Sequence, residues 1–211
     1  VVVVSMPSTC DRASISRAGE RPHSKGGSCD AGWLTAAIHP AMTFTGNPPG
    51  EVARMAGARF AITGSSVDAA VQARRVVGLL GGVAVEIPEE RRALYHAALC
   101  HASNHLVTLI ADAAQALERA GVDAPRALLA PLVQAALDNS LDRGFDALSG
   151  PLLRGDVQTI RDHVAALAAH DPDLVAAYRA MAMATIDRLE HEGARPDAAL
   201  RRALDSSGAV P

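Results

Sequence analysis

The chain has 211 residues, which suits one or two domains with a sizeable core. Its formal net charge of −3 provides no basic field to attract nucleic acid or an anionic membrane, and we expect neither as a partner. No uncharged apolar run approaches the ~20 residues that a membrane span needs. The three cysteines lack paired spacing, which excludes a disulfide framework or a zinc ribbon and leaves a reducing, cytoplasmic setting as the default.

The first third of the sequence contains short strand signals separated by irregular stretches. Val1–Ser5 is a β-branched run that predicts a short buried strand. Four valines without a methionine also suggest that the chain is cut from a longer protein. Residues 8–32 show no period, and we expect a loop, a disordered stretch or a disturbed segment. Leu34–Ile38 predicts another strand, and Asn47–Gly50 predicts a turn.

Clearer signals follow from Phe60 to Ile87. Phe60–Thr63 predicts a strand, Ser65 or Ser66 can cap the helix that follows, and Val83–Ile87 predicts a second strand. Strand, helix and strand within ~30 residues form a βαβ unit, which is typical of a parallel sheet.

After Ile87 only helical signals remain. A long helix is predicted from Pro88 to Ala120. Three more are predicted over residues 123–144, 156–169 and 171–192, and Asp156 caps the one over 156–169. The order predicts two domains, an α/β domain over residues 1–87 and an all-α domain over 88–192, followed by a flexible tail over 193–211.

The long helix holds the densest set of polar side chains. His96, Cys100 and Ser103 fall on one stripe of the helix, Asn104 lies nearby, and Tyr95 precedes them. This set predicts either one wall of a substrate cleft or a polar contact between helices or domains, and the residues alone do not separate these alternatives.

Two histidines on the same helix, His101 and His105, are spaced one turn apart and could pair on a metal ion. A zinc site needs a third ligand, and the glutamate of the metalloprotease helix motif is absent. We therefore expect no metal site.

Two further features lie outside the long helix. His39 ends a strand, where side chains of open α/β sheets face the ligand crevice, although its ring could equally pack beneath the next loop. Ser149 and Arg154 lie in a glycine-rich segment before Asp156, where Arg154 could orient an anionic group. The simpler interpretation of this segment is a helix connection with a cap.

Five motifs in chain order carry a resemblance to a known family. They are His39-Pro40-Ala41-Met42-Thr43-Phe44, Leu94-Tyr95-His96-Ala97-Ala98, Ala102-Ser103-Asn104, Leu148-Ser149-Gly150-Pro151 and Arg154-Gly155-Asp156. From about Leu34 to Leu189 the chain resembles the bacterial family that joins a Rossmann-like domain to a helical domain of unknown function 2520. That family is related to pyrroline-5-carboxylate reductase and the 6-phosphogluconate dehydrogenase superfamily.

The resemblance implies a fold, a cofactor and a site. It implies the end of a Rossmann-like parallel sheet followed by a helical domain like the C-terminal domain of 6-phosphogluconate dehydrogenase. It also implies NADP as the cofactor, a homodimer formed through the helices, and a small-molecule substrate held between the domains. His96, Ser103 and Asn104 are then the candidate catalytic residues. The candidate substrate-binding residues are His39, Tyr95, Ser149 and Arg154.

The chain departs from this family at its start. Family members begin with a glycine-rich strand–turn–helix whose amides bind the pyrophosphate, and Gly26-Gly27 does not form one because no strand precedes it and no helix follows. Without that turn, cofactor affinity should be largely lost, and no cofactor-binding residues can be assigned. The leading hypothesis is an NAD(P)-dependent oxidoreductase, or a fragment of one, that acts on a carbonyl, hydroxyl or imine. The alternative is a non-enzymatic nucleotide-binding or dimerisation module.

Overall fold

The computed structural model describes residues 2–7, 14–17 and 33–205, and for the first two ranges the backbone alone. The chain divides into two compact units, Val1–His105 and Leu106–Pro211, which we call the first and second unit. The first unit contains a sheet with two helices and the start of a long helix. The second contains the rest of that helix and five more. The predicted domain boundary at residue 87 stays a prediction.

Five strands form the sheet of the first unit, in the order β2-β1-β3-β4-β5. The predicted strands near residues 2, 34, 60 and 83 are confirmed, whereas β2 interrupts the stretch expected to be irregular. The rest of that stretch lies outside the described residues. The strands are β1 (Val2–Pro7), β2 (Ser14–Arg17), β3 (Trp33–Pro40), β4 (Arg59–Gly64) and β5 (Val83–Glu86).

The sheet is mixed, which corrects the expectation of a purely parallel one. Strands β4 and β5 are parallel, as the βαβ pattern predicts, but β1–β2, β1–β3 and β3–β4 are antiparallel. The reason is the connection after β3, since residues 41–58 return the chain to the end of the sheet that it has just left. There Pro40 lies opposite Phe60, and Ala41 N donates to Arg59 O at 2.8 Å.

Two helices pack with this sheet. Helix α1 (Pro48–Met55) begins where a turn is predicted, because the Asn47 side chain accepts from Gly50 N and caps the helix. Helix α2 (Val67–Leu79) is capped by Ser66, as predicted. Its buried face meets the inner face of the sheet in a core of Ala36, Ile38, Phe60, Ile62, Ala73 and Val77.

The helices after β5 follow the predicted order. A 3-10 turn at Glu89–Arg91 precedes the long helix, Asp156 caps α6 through Thr159 N at 3.1 Å, and Pro131 lies inside α4. The sequence therefore predicts the four long helices to within a few residues. The helices are α3 (Arg92–Arg119), α4 (Pro125–Arg143), α5 (Pro151–Arg154), α6 (Val157–His170), α7 (Pro172–His191) and α8 (Ala198–Asp205).

Helix α8 corrects the expectation of a flexible tail after Gly193. Its Leu200, Ala203 and Leu204 recur at helical spacing and are buried, so the helix is held by packing rather than by propensity. They complete the core of the second unit together with Ile160, Val164, Ala182 and Ile186 of α6 and α7. Residues 206–211 of the predicted tail lie outside the described residues.

A buried carboxylate lies where α6 passes into α7. Asp171 is 1% exposed and forms an ion pair with Arg119 at 2.5 Å, and Gln115 Nε2 donates to it at 3.3 Å. Burying an unpaired charge would cost several kcal/mol, which explains why the carboxylate has these two partners from α3. In the described part of the chain, no helix has the length and apolar character to cross a membrane.

Candidate functional site

The candidate site of the first unit centres on His39, at the end of β3. Its Nδ1 atom lies 3.0 Å from the Tyr95 hydroxyl, near the start of α3, and the two rings meet edge to face with centroids 5.7 Å apart. Burial raises the pKa of Tyr95, so its hydroxyl stays protonated at neutral pH. When that hydroxyl donates to Nδ1, the proton of the neutral His39 ring is on Nε2.

His96 also contacts His39. The two imidazole rings meet edge to face with centroids 5.8 Å apart. Burial lowers the pKa of His39, and the neighbouring His96 lowers it further because a second positive charge beside the ring is unfavourable. His39 is therefore a neutral hydrogen-bonding group at neutral pH. The Cys100 sulfur lies 3.8 Å from His96 Nε2, one helical turn along α3.

Two cavities of the first unit share His39 and His96 in their walls. One of about 250 Å³ lies over the sheet, where Ala37 and Ala61 leave space beside Thr63. The other, of about 510 Å³, extends along α3 and has a size typical of ligand pockets. Its remaining walls are Ala41, Met42, Thr43, Phe44, Leu99, Cys100, Ala102, Ser103 and Asn104.

The structure brings the predicted stripe of α3 into the wall of the larger cavity. The Ser103 hydroxyl donates to the backbone oxygen of Leu99 at 2.8 Å and lies 3.2 Å from Asn104 Oδ1. A hydroxyl has a single hydrogen, so Ser103 faces a ligand as an acceptor unless it gives up its bond to the helix. Asn104 is the residue of this pair that can both donate and accept.

A buried glutamate holds the loop that follows the cavity residues 41–44. Glu51 of α1 accepts hydrogen bonds from the backbone amides of Thr45, Gly46 and Asn47 at 2.6, 2.9 and 3.2 Å. These bonds lower the pKa of Glu51, with the bond from Thr45 the main cause. They fix the loop that follows Met42 and Phe44. Glu51 is not predicted from the sequence, because the capping-box pattern needs an acid three residues after the cap and Gly50 occupies that position.

Two predicted substrate-binding residues belong to the second unit instead. Ser149 lies in the wall of a third cavity, of about 420 Å³, which is mostly apolar. Arg154 is exposed at the end of α5 and is not among the residues that line this cavity. In the same wall His163 Nδ1 lies 2.9 Å from the Tyr178 hydroxyl, a second His–Tyr pair that sequence reasoning did not identify. The roles predicted for Ser149 and Arg154 stay predictions.

The described residues fit only part of a dinucleotide. The smaller cavity, over β4, is the space beside His39 that a cofactor ring would have to enter. No G-x-G-x-x-G spacing is present in the sequence to bind a pyrophosphate. Polar side chains therefore line both cavities, and the sequence supplies no glycine-rich turn that would bind the pyrophosphate.

A family model confirms the resemblance indicated by the motifs. The family "Domain of unknown function (DUF2520)" matches residues 58–185, which is more than half of the chain. The chain therefore belongs to the DUF2520 family. A comparison with curated proteins gives no match.

Two solved structures share the fold. Protein TM1727 from Thermotoga maritima is 24% identical with a TM-score of 0.63, over 75% of this chain and 62% of that one. The putative NADP oxidoreductase BF3122 from Bacteroides fragilis is 21% identical with a TM-score of 0.60, over 72% of this chain and 57% of that one. These likenesses confirm the fold class, an α/β part followed by helices. The chain spans less than two thirds of the length of either structure.

Proposed function

We propose that this member of the DUF2520 family is an NADP-dependent oxidoreductase, or the substrate-side part of one, acting on a small carbonyl, hydroxyl or imine compound. The observation that carries the proposal is the convergence of His39, Tyr95 and His96 where two cavities adjoin. The name of the Bacteroides fragilis neighbour supports the cofactor, and the sheet supports a nucleotide-binding origin of the first unit.

NADP(H), when bound, supplies or accepts a hydride. In the reducing direction the substrate carbon gains that hydride, and its oxygen or nitrogen must gain a proton. We assign the proton to His96, because its ring lies in the walls of both cavities and histidine is the side chain that most often acts as a general acid. His39 is neutral and is held by Tyr95, so it orients the substrate through a hydrogen bond instead of competing for the proton.

Asn104 and Ser103 complete the proposed site on α3. Asn104 would donate to the substrate oxygen, and Ser103 would accept from a substrate hydroxyl or amine, since its own hydrogen is bonded to Leu99 O. Hydrogen bonds of this kind position a substrate and contribute about 0.5–1.5 kcal/mol each. The roles of Ser149 and Arg154 as further substrate-binding residues are part of the proposal but rest on the family resemblance alone.

We also infer a relationship to pyrroline-5-carboxylate reductase and the 6-phosphogluconate dehydrogenase superfamily. In that superfamily the first long helix after the sheet contributes polar side chains to the substrate, and α3 occupies this place in the chain. The inference makes residues 1–87 part of a Rossmann-like domain and residues 88–192 a helical substrate domain.

Helix α4 supports a homodimer. Helix α4 has four exposed leucines. By helical geometry the first two of these lie on one side and the last two on the opposite side, so a single neighbouring helix cannot cover all of them. Apolar groups exposed on two sides favour a helix that is enclosed by a second copy of the chain. These side chains are from 41% to 79% exposed, namely Leu128, Leu132, Leu137 and Leu141.

Light scattering of the purified protein tests the dimer. We expect twice the monomer mass for the wild type and a monomer for Leu132→Glu, because burying the new charge at an interface is costly. Gln158→Glu places the same side chain on the exposed face of α6 and should leave the mass unchanged. A wild-type monomer at micromolar concentration would contradict the inference.

Thermal unfolding of the full-length protein with NADPH, NADP and NAD tests the cofactor. A ligand present at 100 times its dissociation constant should stabilise the protein by ~2.7 kcal/mol, and we expect NADPH to raise the melting temperature most. The absence of any shift would contradict the dinucleotide proposal and favour a non-enzymatic dimerisation module.

Turnover of NADPH with a panel of small aldehydes, ketones and imines then tests the site. His96→Gln should lower kcat by about 100-fold or more, as expected for the loss of a general acid, and Asn104→Ala by about tenfold. His191→Gln, on the exposed last turn of α7, is the control. Unchanged turnover in both site variants would contradict the roles assigned to His96 and Asn104, even if the protein binds NADPH.

A further inference from the structure

Two histidines on the exposed surface of α3 point their ring nitrogens at each other. The Nδ1 atoms of His101 and His105 are 2.9 Å apart, and the rings meet at 88° with centroids 4.9 Å apart. We propose that this pair binds one divalent transition-metal ion, with Cu²⁺ and Ni²⁺ bound more tightly than Zn²⁺, at a site separate from the proposed oxidoreductase site.

The separation of the two nitrogens fits a chelated ion. Imidazole nitrogens bind such ions at ~2.0–2.1 Å, and two ligands 2.9 Å apart at that bond length subtend roughly 90° at the metal. That is the angle between neighbouring ligands in the square-planar and octahedral geometries of Cu²⁺ and Ni²⁺. Tetrahedral Zn²⁺ needs a separation of about 3.3 Å, so the rings must move apart to bind it. The order of affinities for nitrogen ligands also favours Cu²⁺ and Ni²⁺.

An ion would take the place of the hydrogen between the rings, and that hydrogen would move to Nε2 of the ring that carries it, so that both Nδ1 lone pairs are available. Two neutral imidazoles can share one hydrogen between their Nδ1 atoms, and both rings are exposed to solvent on consecutive turns of one helix. The helix fixes the spacing of the two ligands before binding, which reduces the entropy lost on chelation.

The site requires only these two protein ligands. No group of three or more His, Cys, Asp or Glu side chains in the described part of the chain could hold a metal ion. The sequence predicts no metal site because a third ligand is missing, and that absence does exclude a closed structural zinc site. Two imidazoles with water in the other positions can still form an open chelate. The site is therefore of moderate affinity and accessible to exogenous ligands.

A second pair on the same helix is the main competitor. His96 and Cys100 have the same spacing, and the sulfur lies 3.8 Å from His96 Nε2. A thiolate prefers softer ions, including Zn²⁺ and Cu⁺. Cys100→Ser removes this competitor and prevents oxidation of the thiol by Cu²⁺, so the experiment is carried out in that background.

Calorimetric titration of the Cys100→Ser protein with Ni²⁺ tests the proposal. We expect one Ni²⁺ per chain at neutral pH, and a loss of affinity of at least about tenfold in His101→Ala and in His105→Ala. Removing a group that only hydrogen-bonds to a metal ligand typically lowers metal affinity 10–100-fold, and removing a ligand itself should lower it by at least as much. His191→Ala, an isolated exposed histidine, is the control and should leave binding unchanged.

The electron paramagnetic resonance spectrum of the Cu²⁺ complex identifies the ligands. Coupling to two imidazole nitrogens is expected in Cys100→Ser and coupling to fewer in either histidine variant. Ni²⁺ binding that survives both alanine substitutions, or that disappears in Cys100→Ser alone, would overturn the proposal. Circular dichroism of each variant checks that α3 is retained.

Discussion

Each unit of the chain contains one histidine–tyrosine pair, and the two pairs have almost the same geometry. The hydroxyl lies 3.0 Å from Nδ1 in His39–Tyr95 and 2.9 Å in His163–Tyr178, and the rings meet at 87° and 82°. Their surroundings differ. His39 has His96, Ser103 and Asn104 around the same cavity, whereas the cavity beside His163 is lined mostly by apolar side chains.

This comparison shows that the pair itself does not define a site. A Tyr hydroxyl that fixes a neighbouring imidazole is a common way to satisfy two polar groups at a packing contact. What distinguishes the first pair is the additional polar set on α3 and the partial burial that keeps His39 neutral. We therefore expect equivalent substitutions in the two pairs to have different effects.

The largest expected effect concerns the stability of the second unit. Asp171→Ala should lower the free energy of unfolding by about 2 kcal/mol, below the usual range for breaking a buried ion pair because Arg119 can turn toward solvent. It should also loosen the junction of α6 and α7, which carry the second His–Tyr pair. Urea unfolding followed by circular dichroism measures this loss. Asp142→Ala, on the exposed surface of α4, should stay within about 0.5 kcal/mol of wild type, and equal losses in both variants would contradict the assignment.

The next prediction distinguishes His39 from His163 by the effect of each on kcat/KM. His39→Gln should lower kcat/KM of the full-length protein by up to about tenfold, the amount that one substrate hydrogen bond of about 1.4 kcal/mol supplies. His163→Gln should leave kcat/KM within about twofold of wild type. A loss confined to His163→Gln would place the substrate at the third cavity and support the predicted role of Ser149, and equal losses in both variants would contradict the assignment to His39.

A smaller effect tests whether tyrosine orients the first histidine. Tyr95→Phe should raise KM by about threefold while leaving the fold intact, because His39 stays in place but loses the bond that fixes its ring. Tyr178→Phe removes the same hydroxyl from the other pair and should leave KM unchanged. The nitrogen chemical shifts of the His39 ring report the tautomer directly, and an identical spectrum in Tyr95→Phe would show that the hydroxyl has no such role.

Local sequence signals predicted most of the elements that position the site. The apolar runs around Phe60 and Val83 with the cap at Ser66 predicted the parallel pair, and Asp156 predicted the start of α6, because capping and periodicity are short-range properties. Helix α8 was missed because its three buried apolar residues lie among charged ones and gain stability only from the core that they complete.

Long-range pairing could not be predicted in the same way. His39 and Tyr95 are 56 residues apart, and the contact between them depends on the pairing of β3 with β4 and on the course of α3 after β5. A helix cap is recognised from residues a few positions apart, but no local pattern of this kind predicts a contact between two polar residues so far apart in the sequence. The family motifs identified the participants, but the contact between them depends on the topology of the sheet.

The smallest effect is a pH dependence of stability that comes from His39. An unfolded histidine has a pKa near 6.5, and burial, reinforced by His96, lowers the pKa of His39 in the folded chain. Between the two values the unfolded chain binds more protons, so His39 contributes stability that is fully present above about pH 6.5 and is lost as the pH falls through the folded pKa. Urea unfolding should show that, below about pH 6.5, the free energy of unfolding falls more steeply with decreasing pH in wild type than in His39→Gln. Above that pH the two stability curves should be parallel. His96→Ala should reduce this difference by removing the neighbouring charge. Curves that stay parallel at every pH would mean that burial does not disfavour the charged form of His39, and the neutral role assigned to it would have to be withdrawn.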